Sequence, residues 1–206
     1  MGKIGFFCLA VSQIKMMNTH AAKCYAAGIL AISYPRPEAA TPPLFLVGED
    51  SKNGISDFGG RCEKYDRQPV NLSCASREFV EETLGLVGNQ KDIMKKLSES
   101  SIHVKGKTAN GSMYDQYIIE IQFDPSLPKF FKRSSDFLTM RNSKSNHLEK
   151  TTLEWVTFDE MMTRQKRSVF QNTIKMNGSL IHEIGHSSAK QWKSIIEKYG
   201  NVVDDE

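Results

Sequence analysis

Glu78, Glu81 and Glu82 stand at i, i+3 and i+4, a spacing that a helix turns into one acidic face. Like charges this close repel, so a solvated helix gains nothing from the arrangement. A hard divalent cation reverses the sign of that energy, because it accepts several anionic oxygen ligands. Leu72, Ala75 and Phe79 recur at helical spacing and predict the inner face of the same helix. Upstream, Leu44 to Val47 is a short apolar run suited to a buried strand, and Gly59-Gly60 lies between the two. The segment reads as strand, loop and helix around a metal site.

The same residues resemble the Nudix box, in which a glycine, five residues, a glutamate and seven residues precede Arg-Glu-apolar-x-Glu-Glu-x-Gly-apolar. Arg77 to Glu82 matches at every specified position, with Phe79 in the apolar slot. Gly60 matches the opening glycine, and Asp66 occupies the slot of the first glutamate. The stretch from Asp66 to Arg77 is three residues longer than the pattern, Tyr65 replaces a common glycine, and Gly85 falls one residue late. Pro69 suits the first turn of a helix, which assigns the extra residues to the loop before it. Asp66, a shorter acid than glutamate, is left out of the metal set.

The resemblance implies an α+β fold, an α/β/α sandwich with a mixed sheet, over a single domain of residues 1–206. It implies a hydrolase that cleaves the pyrophosphate of a nucleoside diphosphate linked to another group, with Mg²⁺ or Mn²⁺ as cofactor. Such metals neutralise charge on phosphate oxygens and lower the pKa of bound water. By the motif match the metal ligands are Glu78, Glu81 and Glu82, joined by the carbonyl of Gly59, where no side chain obstructs approach. Glu78 doubles as a candidate base, and Arg77 orients carboxylates. Some members use a glutamate on a later loop as base, and Glu149 is the candidate here. The same fold also serves as a non-catalytic binding module, but such modules usually lose box carboxylates, and the helical set is intact.

Elsewhere, Tyr25 to Ser33, Ile102 to Val104 and Leu153 to Phe158 read as strands. Tyr117, Ile119, Ile121 and Phe123 alternate along another. Helices are expected around Asp92 to Leu97, after Asp159-Glu160, and where Trp192, Ile195, Ile196 and Tyr199 share a face that Gly200 ends. Pro125 to Lys150 is the least regular stretch. It is basic, with Lys129, Lys132, Arg133, Arg141, Lys144 and Lys150, and it carries Phe130 and Phe131 as residues able to stack on a base or fill a core. That charge beside a phosphate-cleaving site makes capped RNA the alternative to a small nucleotide derivative as substrate. The net charge of +3 is that of an ordinary globular chain rather than a strongly basic binder.

A second motif competes. His182-Glu183-Ile184-Gly185-His186 matches the His-Glu-x-x-His signature of zinc metalloproteases. That chemistry needs a third protein ligand, and the position ten residues after His182 is Trp192. Ser187 and Ser188 also suit the cap of a fresh helix. The bland reading, two surface histidines, is preferred. The N-terminal apolar run Ile4 to Val11 is too short to span a bilayer and reads as a strand or packing segment. Cysteines 8, 24, 62 and 74 show no Cys-x-x-Cys spacing and are expected as reduced thiols in a cytoplasmic protein.

Overall fold

The computed structural model describes residues 26–50, 54–141 and 149–200. Cys8, Cys24, Tyr25, Lys144 and the run Ile4 to Val11 lie outside the described residues.

The fold is organised around β1 (Ala26–Ser33), all eight of whose residues are buried. Successive side chains of a strand point to opposite faces, so Leu30 and Ile32 enter one apolar cluster while Ala27, Ile29 and Ala31 enter the other. Burial on both faces requires cover on both. One layer comprises α1 (Val70–Glu82), α2 (Gln90–Ser100) and α3 (Leu127–Met140), which contribute Cys74, Ala75, Phe79, Ile93, Leu97, Leu127 and Phe131. The other comprises α4 (Phe158–Thr163), α5 (Ser168–Met176), α6 (Gly178–Gly185) and α7 (Ala189–Tyr199), with Met161, Phe170, Ile174, Ile181, Ile184, Trp192 and Ile195. This is an α/β/α sandwich of the α+β class.

The sheet has seven strands and is mixed. β1 pairs in parallel with β6 (Met113–Glu120), which pairs antiparallel with β5 (Ser101–Lys107). On its other edge β1 is shared. Its first half pairs antiparallel with β4 (Phe58–Arg61) and its second half with β2 (Leu44–Asp50). β2 also pairs with β3 (Ile55–Ser56) and with β7 (Lys150–Val156). The chain between β2 and α1 stays paired with β1 through Gly59-Gly60 and leaves the sheet after Arg61.

The box helix stops as expected near Gly85. Leu84 and Gly85 take positive φ of 55° and 69°, and the Gly85 N–H donates back to the Val80 carbonyl at 2.8 Å. Ahead of α4, Thr157 and Glu160 form a reciprocal capping box. No helix among the described residues is long and apolar enough to cross a membrane.

The strand expected from the alternation of Tyr117, Ile119, Ile121 and Phe123 ends at Glu120, so its last two residues lie outside it, and a second expectation fails. Within Pro125 to Lys150, read as irregular, residues 127–140 form α3. Basic and serine residues disguise the pattern, yet Leu127, Phe131 and Ser135 fall at i, i+4 and i+8 and are all buried. Pro128 lies in the first turn, where its missing N–H breaks no helical hydrogen bond. The two adjacent phenylalanines part company: Phe131 is fully buried and Phe130 is 50% exposed.

Truncating Phe131 to Ala is expected to destabilise the protein by about 3–5 kcal/mol through the cavity it leaves. Phe130→Ala is expected to shift stability by less than about 0.5 kcal/mol. Urea unfolding of the two variants checks this, and equal losses would contradict the helix orientation.

Candidate active site

Arg77 is the centre of the acidic cluster. Its Nε and one terminal nitrogen reach both oxygens of Asp66, at 3.0 and 3.2 Å. That second nitrogen also donates to the Arg61 carbonyl at 2.9 Å. The other terminal nitrogen reaches Glu78 Oε1 at 2.8 Å and Glu81 Oε2 at 3.1 Å. A planar fork with five N–H groups meets this many acceptors, and an ammonium does not. The guanidinium is buried, so the contacts are not a weak surface pair. Asp66 also accepts from the Glu63 N–H at 2.6 Å. It ties the box loop to the helix rather than joining the other acids.

Glu82 turns inward. It is 2% exposed, accepts from the Gly59 N–H at 2.8 Å through Oε2, and faces Lys150 Nζ at 3.4 Å through Oε1. Lys150 is itself buried and donates to Ser56 Oγ at 2.5 Å and to the Asp57 carbonyl at 3.0 Å. Its stem lies over Gly48, where an added Cβ would meet it at 2.7 Å. Burial raises the Glu82 pKa to about 8 against the pull of Lys150, with Glu78, Glu149 and Asp57 adding repulsion. Glu78 is also raised, by burial first, while Arg77 opposes and Glu81 and Glu149 add to the shift. Glu149 is exposed, yet its charge is felt by both helical acids.

The glycines have steric reasons. A Cβ on Gly60 would fall 2.4 Å from the Glu78 carboxylate. One on Gly59 would fall 2.3 Å from the Tyr114 hydroxyl, which crosses to donate to Asp57 at 2.8 Å. Asp57 is buried and also accepts from Gln116 at 2.5 Å. Burial raises its pKa, against the hydrogen bonds from Gln116 and Tyr114 and the charge of Lys150. A cavity of about 690 Å³ shares Gly59 and Gly60 with the acidic cluster and continues past Asp57, Tyr114, Arg167 and Phe170.

One observation bears on whether the donor set fits a divalent cation: Glu82 Oε1 is buried and faces Lys150 at 3.4 Å, yet accepts no hydrogen bond. Such an oxygen is costly to keep, and a hard cation is one group that satisfies it. Among the described residues no three acid, histidine or cysteine side chains stand together at ligating positions. Arg77 holds Glu78 and Glu81 on one side, and Lys150 draws Glu82 to the other.

Lys150 was expected on a basic surface and instead lies at the heart of the site. No sequence signal marks a lysine whose partners come from another strand. Gln116 left a trace, as a polar residue on the strand face that carries Ile118 into the core. The second motif resolves into structure. α6 ends at Gly185, His186 caps it, and Ser188 caps α7. The two imidazoles stack at 4.2 Å against Phe158, and Glu183 is held by Lys198 and Tyr199. Cys74 is a free buried thiol whose pKa burial pushes up to about 12. Cys62, expected as a reduced thiol, is disulfide-bonded.

The chain's structure is similar to that of a C. elegans Ap4A hydrolase solved as a binary complex, with 13% identity, 77% of this chain and 93% of that one covered, and a TM-score of 0.45. It is similar to a Nudix hydrolase from Alicyclobacillus acidocaldarius, with 14% identity, 82% and 95% covered, and a TM-score of 0.44. It is also similar to the C-terminal domain of mouse MUTYH, solved with human PCNA, with 11% identity, 76% and 88% covered, and a TM-score of 0.41. No family model and no curated protein matches the chain. Overlaps this partial carry no chemistry, which rests on the residues.

Arg77→Met leaves Asp66 and Glu78 without their counter-charge and is expected to cost roughly 3–5 kcal/mol in stability. Asp66→Asn should cost much less in that background than in the wild-type protein, because the two residues act as one unit. A double-mutant cycle from chemical denaturation measures the coupling, and strict additivity would contradict it.

Proposed function

We propose that the protein is a metal-dependent hydrolase of the Nudix type, cleaving the pyrophosphate of a nucleoside diphosphate linked to another group. The observation that carries this reading is the arrangement of Glu78, Glu81 and Glu82 around Arg77 and Lys150, with one buried Glu82 oxygen that faces Lys150 but accepts no hydrogen bond. Three carboxylates crowded against two buried cations make a poor structural core. They suit a site whose remaining charge is meant for a ligand.

Each residue has a part. Glu78, Glu81 and Glu82 supply the anionic oxygens, and the Gly59 carbonyl adds a neutral one. When bound there, Mg²⁺ or Mn²⁺ neutralises charge on the phosphate oxygens and lowers the pKa of water. Arg77 keeps Glu78 and Glu81 from splaying apart under their own repulsion. The Gly59 N–H holds Oε2 of Glu82 and Lys150 faces Oε1, so the carboxylate has one orientation. Glu149 is solvent-accessible and within electrostatic range of Glu78 and Glu82. That position suits a base that takes the proton of an attacking water. Glu78 is the other candidate for this role. The cavity past Gly59 and Gly60 has room for a nucleotide and is lined by Arg167, a cation paired with Asp50 at 3.0 Å and still partly exposed.

Turnover of a panel of nucleotide sugars, dinucleoside polyphosphates, nucleoside triphosphates and capped RNA is expected only with Mg²⁺ or Mn²⁺, and is expected to stop on chelation. Glu81→Gln and Glu82→Gln should each lose orders of magnitude in kcat with melting temperature largely kept. Full activity in both variants would sink the proposal.

Glu149→Gln should lower kcat with little change in KM, as expected for a group that acts on the water. His182→Ala and His186→Ala should change neither activity nor metal content. Stoichiometric zinc lost with those histidines would point to the metalloprotease reading instead.

A further inference from the structure

We propose that the outward face of α3 binds single-stranded nucleic acid and leads its phosphate chain toward the acidic cluster. The delivery half rests on the hydrolase reading above; the binding half does not. Phe130, Arg133, Phe137, Met140 and Arg141 fall at helical spacing along one face. Phe130, Phe137 and Met140 are 50%, 57% and 76% exposed. They stand away from Leu127, Phe131 and Ser135, which anchor the helix in the core. Two phenylalanines and a methionine held in water on one helix mark a contact surface rather than scatter.

The charges on the helix decide the kind of partner. Lys129, Lys132, Arg133 and Arg141 surround the apolar side chains, and the one acid, Asp136, is paired with Lys132. Alternating aromatic rings and guanidinium groups fit a chain that itself alternates base and phosphate. Rings stack on bases without regard to sequence, and cations neutralise the backbone. Phe130 and Phe137 are two turns apart, about 10 Å along the axis, room enough for neighbouring bases. A wholly apolar partner would instead strip water from the arginines with nothing in return.

Position supplies the link to the site. The indole N–H of Trp155, near the end of β7, donates to the Asp124 carbonyl just ahead of α3 at 2.9 Å. α3 then packs along β7, so its C-terminal end lies toward Lys150, the first residue of β7 and the partner of Glu82. Arg141 and Glu149 are eight residues apart (149 − 141), at most about 28 Å when fully extended. A strand lying on α3 thus has a short path for its terminal pyrophosphate to the acids.

The test is fluorescence anisotropy of the full chain with a short single-stranded RNA and a DNA of the same sequence. Chelator is present so that no turnover intervenes. Both strands are expected to bind, and the Phe130→Ala/Phe137→Ala double variant to bind roughly tenfold more weakly or worse. Arg133→Gln/Arg141→Gln should flatten the dependence of log affinity on log salt by about 1.4. All four side chains are exposed, and circular dichroism verifies that the helix survives. Wild-type affinity in both double variants overturns the proposal. So does loss in the phenylalanine variant of binding to anionic phospholipid vesicles without any RNA binding, which makes the face a membrane contact. A dimer in sedimentation that dissolves in the phenylalanine variant overturns it too, by assigning the face to a second copy. Strand binding without pyrophosphate hydrolysis overturns the hydrolase reading and the delivery half, and upholds the binding face.

Discussion

The Arg77 guanidinium is the joint on which the site hangs. It brings three pieces of chain to one point: the Arg61 carbonyl at the end of β4, Asp66 in the box loop, and Glu78 and Glu81 on α1. Neutralising so many acids in a buried position needs a delocalised cation with donors fixed in a plane, and only arginine has that geometry. The loop is longer than the motif it resembles, yet its extra residues do not disturb the helix. Asp66 is anchored at one end, and α1 starts afresh at Val70 after Pro69.

A second buried cation works from the opposite side. Lys150 reaches from β7 over Gly48 to Glu82, Ser56 and the Asp57 carbonyl. Between the two cations the acids are divided, with Glu78 and Glu81 on Arg77 and Glu82 on Lys150. Burial first, and repulsion among the carboxylates after it, raises the pKa values of Glu78 and Glu82 against the pull of these cations. The architecture makes this division possible. β1 changes partner from β4 to β2 halfway along, and α1 packs on β1 and β4.

Away from the site, the two helical layers differ in what they leave to water. α3 is the exception, burying Leu127 and Phe131 while holding two turns of aromatic and basic side chains outward. A helix that seals the core with one face and stays unsatisfied on another combines a stability requirement and a recognition surface in a single element.

Much of this was legible in the residues. Period-3.6 apolar spacing located α1 and α7, and alternation with apolar runs located β1, β2 and β6. The glycine pair and the acids of the box could be read because their constraints are local. Each depends on neighbours within a turn or a loop, which sequence order preserves. α3 escaped notice because its core residues are outnumbered by polar ones, and only the sheet beneath it reveals which face is inner. Lys150, Asp57 and Tyr114 became part of the site through strand pairing across the sheet. Their partners lie far off in sequence, some 57 residues for Tyr114 and Asp57. A hydrogen bond across such a distance leaves no spacing to read. The residues of α1 and its loop, Arg77 among them, were therefore legible in the sequence, while the second counter-charge, Lys150, and the direction Glu82 faces were decided by the packing of β7 against α1.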